Sequence, residues 1–240
     1  MKVSVIGLGY IGLPTAITFS KFGHDVLGVD VNETVVSTLQ EGLIHIEEPG
    51  LQDEFQKVLS NGKLRFDLKP TKSDAFIIAV PTPFKNVDDK SCDLSYVESA
   101  LDGVLPLLEK GNTIVIESTI PPRTTEDILK PLIENEGFIV GEDIYLVHCP
   151  ERVLPGNILK EMINNNRIIG GVTEECTQKG NEIYSSFVKG ELLLTDSKTA
   201  ELSKLMENTF RDVNIALANE IVKLGNELGI NALDAFELAN

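Results

Sequence analysis

Short apolar runs rich in valine and isoleucine alternate along this chain with stretches of about a dozen residues whose apolar positions recur at helical spacing. The runs at 2–6, 25–30, 64–66, 74–80, 113–117, 144–148, 167–170 and 191–194 read as strands. The stretches at 11–22, 33–40, 51–59, 95–108, 124–134 and 174–186 read as helices between them. Strands this short and this uniformly apolar need both faces covered, so the pattern predicts an α/β fold: a doubly wound, mostly parallel, Rossmann-like sheet. Pro81-Thr82-Pro83, Pro121-Pro122 and Pro155-Gly156 follow strand candidates directly and therefore sit at strand carboxyl ends. In open α/β sheets that edge is where ligands bind.

From Ser197 to about Leu228 the pattern becomes one long helix, free of Pro and Gly until Gly225. At ~1.5 Å per residue it is about 45 Å long, more than a helix packed on a sheet needs, and it reads as a strut between domains. The expected division is a dinucleotide-binding domain at 1–195, then the connecting helix and the start of a helical domain at 196–240. Leu205, Val213, Leu217, Ile221 and Leu224 form an apolar stripe that a lone domain exposes, which predicts a homodimer through this helix.

Composition narrows the partners. A net charge of −16 with no cluster of Lys and Arg excludes a nucleic-acid binder. Any phosphorylated ligand has to be held by backbone N–H groups, a helix N-terminus and a few local cations. Cys92, Cys149 and Cys176 are widely spaced and form no metal-ligand pattern with His24, His45 and His148, so neither a disulfide framework nor a metal site is expected. No apolar stretch reaches membrane-spanning length and the apolar start runs into structure, so no membrane partner is expected and the location is read as cytoplasmic.

Gly7-Leu8-Gly9-Tyr10-Ile11-Gly12 fits G-x-G-x-x-G between a strand and a helix. Gly7 makes the tight turn, Gly9 admits a pyrophosphate, Gly12 lets helix and strand pack closely, and the N–H groups around Tyr10 and Ile11 face the phosphates. Asp30 lies 23 positions after Gly7 at the end of the second strand. A carboxylate there accepts from both ribose hydroxyls, an interaction worth ~1.5–3 kcal/mol, and repels a 2′-phosphate, so NAD is favoured over NADP. Thr82, between two prolines, is either a cofactor contact or a plain turn residue.

Two further strand ends carry polar groups: Ser118-Thr119 in Glu117-Ser118-Thr119-Ile120-Pro121, and Glu151-Arg152 in Cys149-Pro150-Glu151-Arg152-Val153-Leu154-Pro155-Gly156. On the long helix Lys204, Asn208 and Arg211 are spaced i, i+4, i+7 and share one face. That stripe suits an anionic or sugar ligand, or is a solvated helix face.

Taken together these segments resemble the UDP-glucose/GDP-mannose dehydrogenase family along the whole chain. The points of match are G-x-G-Y-x-G-L, Glu48-Pro49-Gly50-Leu51, Pro-Thr-Pro, Ser-Thr-Ile-Pro, Cys-Pro-Glu-Arg, and Ala200-Glu201 leading to Lys204 and Asn208. Arg152, where many members have an aromatic residue, and Asn166-Arg167-Ile168-Ile169-Gly170-Gly171 resemble the branch that oxidises UDP-N-acetyl-D-mannosamine; UDP-N-acetylglucosamine and UDP-glucose are the alternative substrates.

The resemblance implies two successive oxidations of a sugar's primary alcohol to the carboxylate, with two NAD consumed and a thioester formed on a cysteine. In such enzymes that cysteine follows a Gly-Gly pair beyond the long helix, so the expectation is that these 240 residues are a truncated form lacking it and the UDP-binding domain, able to bind NAD but not to complete turnover. By the same resemblance Lys204 stabilises an oxyanion and relays a proton beside Asn208, Glu151 handles the hydrolytic water, Thr119 orders a water near the nicotinamide, and Arg152, Val153, Leu154 and Arg211 hold the sugar nucleotide. Cys149 reads as a small buried residue rather than a replacement nucleophile. The rival readings are an NAD-binding module without chemistry and a single-step hydroxyacid dehydrogenase with a similar front fold.

Overall fold

The computed structural model describes residues 1–239. Among the described residues eight strands form one sheet in the order β3-β2-β1-β4-β5-β6-β7-β8, where β1 is Lys2–Ile6, β2 Asp25–Val29, β3 Leu64–Asp67, β4 Ala75–Ile78, β5 Thr113–Ile116, β6 Tyr145–His148, β7 Arg167–Gly171 and β8 Leu192–Asp196. All pairs are parallel except β6 with β7. This is the doubly wound α/β architecture that the alternating pattern predicts. Every residue of β4 and β5 is buried, as strands covered on both faces must be.

Helices α1 (Gly12–Lys21), α2 (Glu33–Gln40), α3 (Leu51–Ser60) and α4 (Ser95–Val104) connect the first strands. Helix α1 is buried from Gly12 to Ser20, because it lies against the sheet on one side and packs against other helices on its flanks. Asn32 caps α2 by accepting from the N–H groups of Thr34 and Val35. Pro106 and Pro131 each lack the N–H that an α-helix would use. The helix expected to run to 108 therefore closes at Val104 into a 3₁₀ turn, Leu105–Leu107. The one expected at 124–134 opens as a π turn, Thr125–Leu129, before α5 (Lys130–Asn135).

Two helices were not expected from the sequence: α6 (Ile158–Asn164), and α9 (Ala232–Ala239), which follows α8 (Ser197–Leu228). Helix α7 (Glu174–Tyr184) is capped by Thr173. The backbone divides into two compact units, Met1–Leu202 and a second beginning at Ser203. Within the second, α8 and α9 meet at Gly225, where an added Cβ would stand 2.9 Å from the Ile230 carbonyl oxygen. Among the described residues no helix is long and apolar enough to cross a membrane.

One topological detail shapes the site. The chain between β6 and β7 returns to the same end of the sheet, so β7 starts where β6 stops. His148 pairs with Gly170, and Arg167, earlier in β7, overhangs the carboxyl edge.

Candidate active site

The parallel register brings the strand ends level: Ile6 pairs with Val29 and Ile78, Ile78 with Ile116, and Ile116 with His148. Gly7, Asp30, Ala79, Glu117 and Cys149 follow these residues and share one edge. Gly7 turns with φ +88°, its N–H donating to the Val29 carbonyl at 2.8 Å, and a Cβ there would lie 2.7 Å from the Ala79 oxygen. At Gly12 a Cβ would fall 1.8 Å from the Gly7 oxygen, whereas at Gly9 it would meet nothing within 4 Å. Gly7 and Gly12 are thus required by the fold, while the space over Gly9 is open.

Helix α1 begins beside that space with no side-chain cap and no acidic residue in its first turn. An uncapped helix N-terminus behind a side-chain-free turn is a phosphate cradle. The Asp30 carboxylate, half-buried, accepts from the N–H groups of Leu8 and Asn32, both at 2.9 Å. These bonds fix its position and leave acceptor capacity for ribose hydroxyls. The residues present therefore fit a dinucleotide.

Around the turn lie the other polar groups. Tyr10 donates its hydroxyl to Glu48 at 2.9 Å, and the same carboxylate accepts from the N–H groups of Gly156 and Ile158, each at 2.9 Å. The Thr82 hydroxyl donates to the Thr119 carbonyl at 2.8 Å and ties the end of β4 to that of β5. Thr119 is itself half-buried at the edge.

Behind them is a buried charge network. Arg167, 5% exposed, ion-pairs with Glu151 and, at 3.3 Å, with Glu117. Glu117 also accepts from the hydroxyls of Tyr184 at 2.7 Å and Thr15 at 2.9 Å, and the guanidinium lies 4.5 Å over the Tyr184 ring. Two carboxylates share one cation in a site nearly closed to water, where neither can lose that partner cheaply. Glu151 accepts in addition from the Arg152 N–H at 2.8 Å. Arg152 and Val153 are half-buried and Leu154 is 47% exposed.

Residues 1–188 match the UDP-glucose/GDP-mannose dehydrogenase family, NAD binding domain, and residues 198–240 match that family's central domain. The chain belongs to the UDP-glucose/GDP-mannose dehydrogenase family. A curated relative, the UDP-N-acetyl-D-mannosamine dehydrogenase of Methanococcus maripaludis, is 52% identical over 100% of this chain and 55% of its own length. The solved UDP-N-acetyl-mannosamine dehydrogenase of Staphylococcus aureus is 61% identical with a TM-score of 0.93, covering 100% of this chain and 58% of its own. The Pyrococcus horikoshii UDP-D-ManNAc dehydrogenase structure is 49% identical with a TM-score of 0.95, covering 100% and 57%. The chain spans about half the length of the curated relatives it matches.

Of the residues that resemblance to the family singles out, Lys204, Asn208 and Arg211 lie on α8 in the second unit. Lys204 is half-buried, Asn208 exposed, and Arg211 pairs with Glu207 one turn back at 3.1 Å. The first unit joins Tyr10 to the 152–158 segment through Glu48, and Thr82 to Thr119. None of the three thiols is in the exposed class: Cys149 and Cys176 are buried and Cys92 is half-buried. Cys149 is fully buried and burial pushes its thiol up to about 12, Cys176 is buried beneath the Leu146 N–H, and burial also raises Cys92.

Glu48, Glu117, Arg167 and Glu201 stand inside motifs quoted from the sequence, but none was given a role of its own there. Glu201 is fully buried and accepts from the Arg123 N–H at 2.5 Å, the Thr125 N–H at 2.8 Å and the Thr125 hydroxyl at 2.6 Å. Burial raises its carboxyl despite those donors. The available signal was a charge abutting an apolar run, as in Thr113-Ile114-Val115-Ile116-Glu117 and Arg167-Ile168-Ile169.

Proposed function

We propose that the protein to which this chain belongs oxidises the primary alcohol of a UDP-sugar to the carboxylate in two NAD-dependent steps, with UDP-N-acetyl-D-mannosamine as substrate. The observation that carries the substrate is 61% identity, across the whole chain, to a solved UDP-N-acetyl-mannosamine dehydrogenase. Bound NAD supplies the hydride acceptor. The chain's own residues bind, orient and move protons around it: the turn at Gly7, Gly9 and Gly12 with the N–H groups of Tyr10 and Ile11 holds the phosphates, Asp30 the ribose, and Thr82 and Thr119 line the edge.

Lys204 stabilises the oxyanion that develops at the reacting carbon and relays its proton, with Asn208 as a neutral donor; loss of one such donor costs about 3–4 kcal/mol in barrier. Glu151, held in its ion pair with Arg167, orients the hydrolytic water. Arg152, Val153, Leu154 and Arg211 hold the sugar nucleotide. The exposed apolar residues Phe210, Val213, Leu217 and Leu224 on α8 support a homodimer through that helix.

The test is product analysis with the full-length protein. Two NADH per UDP-N-acetyl-D-mannosamine and release of the uronate support the reading, as does a kcat/KM at least ~10-fold above that for UDP-N-acetylglucosamine or UDP-glucose, a gap of about 1.4 kcal/mol. Release of aldehyde after one NADH, or near-normal turnover by Lys204→Ala, overturns it.

A further inference from the structure

We propose that Glu48 is a positioning residue that couples occupation of the dinucleotide turn to the order of the 152–158 segment. The inference rests on reading the turn as the NAD site and that segment as part of the sugar-nucleotide site. Glu48 is 8% exposed, and its two oxygens receive bonds from two places distant in sequence: the hydroxyl of Tyr10, and the N–H groups of Gly156 and Ile158. Tyr10 stands on the turn itself, between Gly9 and Gly12. Ile158 is the first residue of α6, whose own N-cap residue, Asn157, makes no capping bond. A carboxylate 110 residues away in sequence therefore does the work of the missing cap, and ends the segment that carries Arg152, Val153 and Leu154.

One oxygen is the shared element. Oε2 accepts from both the Tyr10 hydroxyl and the Gly156 N–H. Tyr10 is 38% exposed, so its ring is held mainly by its backbone and by this bond. A phosphate that fixes the backbone of the turn fixes the ring, and the ring then holds Glu48 against Gly156 and Ile158. Coupling of this kind is reciprocal: a sugar nucleotide that orders 152–158 tightens the turn by the same factor. The donors of Ile158, Gly156 and Tyr10 outweigh burial and keep the Glu48 carboxyl below its ordinary range, so it is an acceptor in both states.

Amide hydrogen exchange at Gly156 and Ile158, measured on the 240-residue chain with and without saturating NAD, tests this. Calorimetry run in parallel reports whether NAD has bound. NAD is expected to slow both amides by about fivefold, the worth of one net hydrogen bond. In Glu48→Gln both amides exchange faster without NAD, and the ratio of rates with and without NAD falls to within about twofold of unity. Tyr10→Phe, which deletes only the hydroxyl, loses the same NAD-dependent slowing at saturation. Full slowing in either variant with NAD bound overturns the coupling and leaves the cofactor reading standing. No binding of NAD to the wild-type chain overturns both.

Discussion

The three glycines of the turn are there for different reasons, and the structure separates them. A Cβ at Gly12 would sit 1.8 Å from the Gly7 carbonyl oxygen and 3.3 Å from the Ala79 side chain, so Gly12→Ala forces backbone apart from backbone. Overpacking of that kind costs about 1–3 kcal/mol or more. A Cβ at Gly9 would meet no protein atom within 4 Å, and Gly9 is not among the positive-φ glycines, so alanine is accommodated without strain. Gly9→Ala should hold stability within about 0.5 kcal/mol of wild type or raise it slightly, because alanine restricts the unfolded chain. The same methyl group occupies the space over which a pyrophosphate must approach, so NAD affinity should fall by at least ~10-fold, about 1.4 kcal/mol. Urea unfolding and NAD calorimetry on the two variants read the two quantities independently. If Gly9→Ala binds NAD as tightly as wild type, the open space is not the pyrophosphate site and the reasoning fails.

Arg167→Met leaves Glu117 and Glu151 buried without their shared cation, and should lower unfolding stability by about 3–5 kcal/mol, with part of the loss recovered when Glu117→Gln is added; equal losses in single and double variants would argue against a shared charge. Cys149, with its thiol near 12, should resist alkylation at pH 8 in the folded chain and react on unfolding, as mass spectrometry of iodoacetamide-treated protein will show. Glu48 has a folded-state value below its ordinary 4.5, so its contribution to stability is complete above 4.5 and is lost as pH falls through the folded value. Glu48→Gln should therefore flatten the acid limb of stability against pH; an unchanged limb would place that linkage elsewhere.

The sheet and most helices were legible because burial on both faces writes itself as continuous apolar runs, in β4 and β5 above all. The dinucleotide turn was legible because backbone geometry demands glycine at Gly7 and Gly12, and Asp30 sits at fixed spacing from them. Helix α6 was not, since it is short and polar and its capping carboxylate comes from Glu48 rather than from its own neighbourhood. The π turn before α5 needs the consequence of Pro131 worked through the preceding turn, which apolar periodicity does not report.

The network at Arg167 depends on the reversed direction of β7. Strand β7 is covered on both faces like its parallel neighbours, so its own hydropathy does not report its direction, and the approach of Arg167 to Glu117, Glu151 and Tyr184 appears only in three dimensions.

If the first unit clasps NAD, the Asp30 carboxylate is the group that chooses it over NADP. Titrating the folded chain with each nucleotide in a calorimeter tests it most directly. Expected are saturable binding of NAD, NADP weaker by at least ~10-fold, and a gap that closes in Asp30→Ala. Equal affinity for the two nucleotides, or no heat and no thermal shift with NAD, would contradict it.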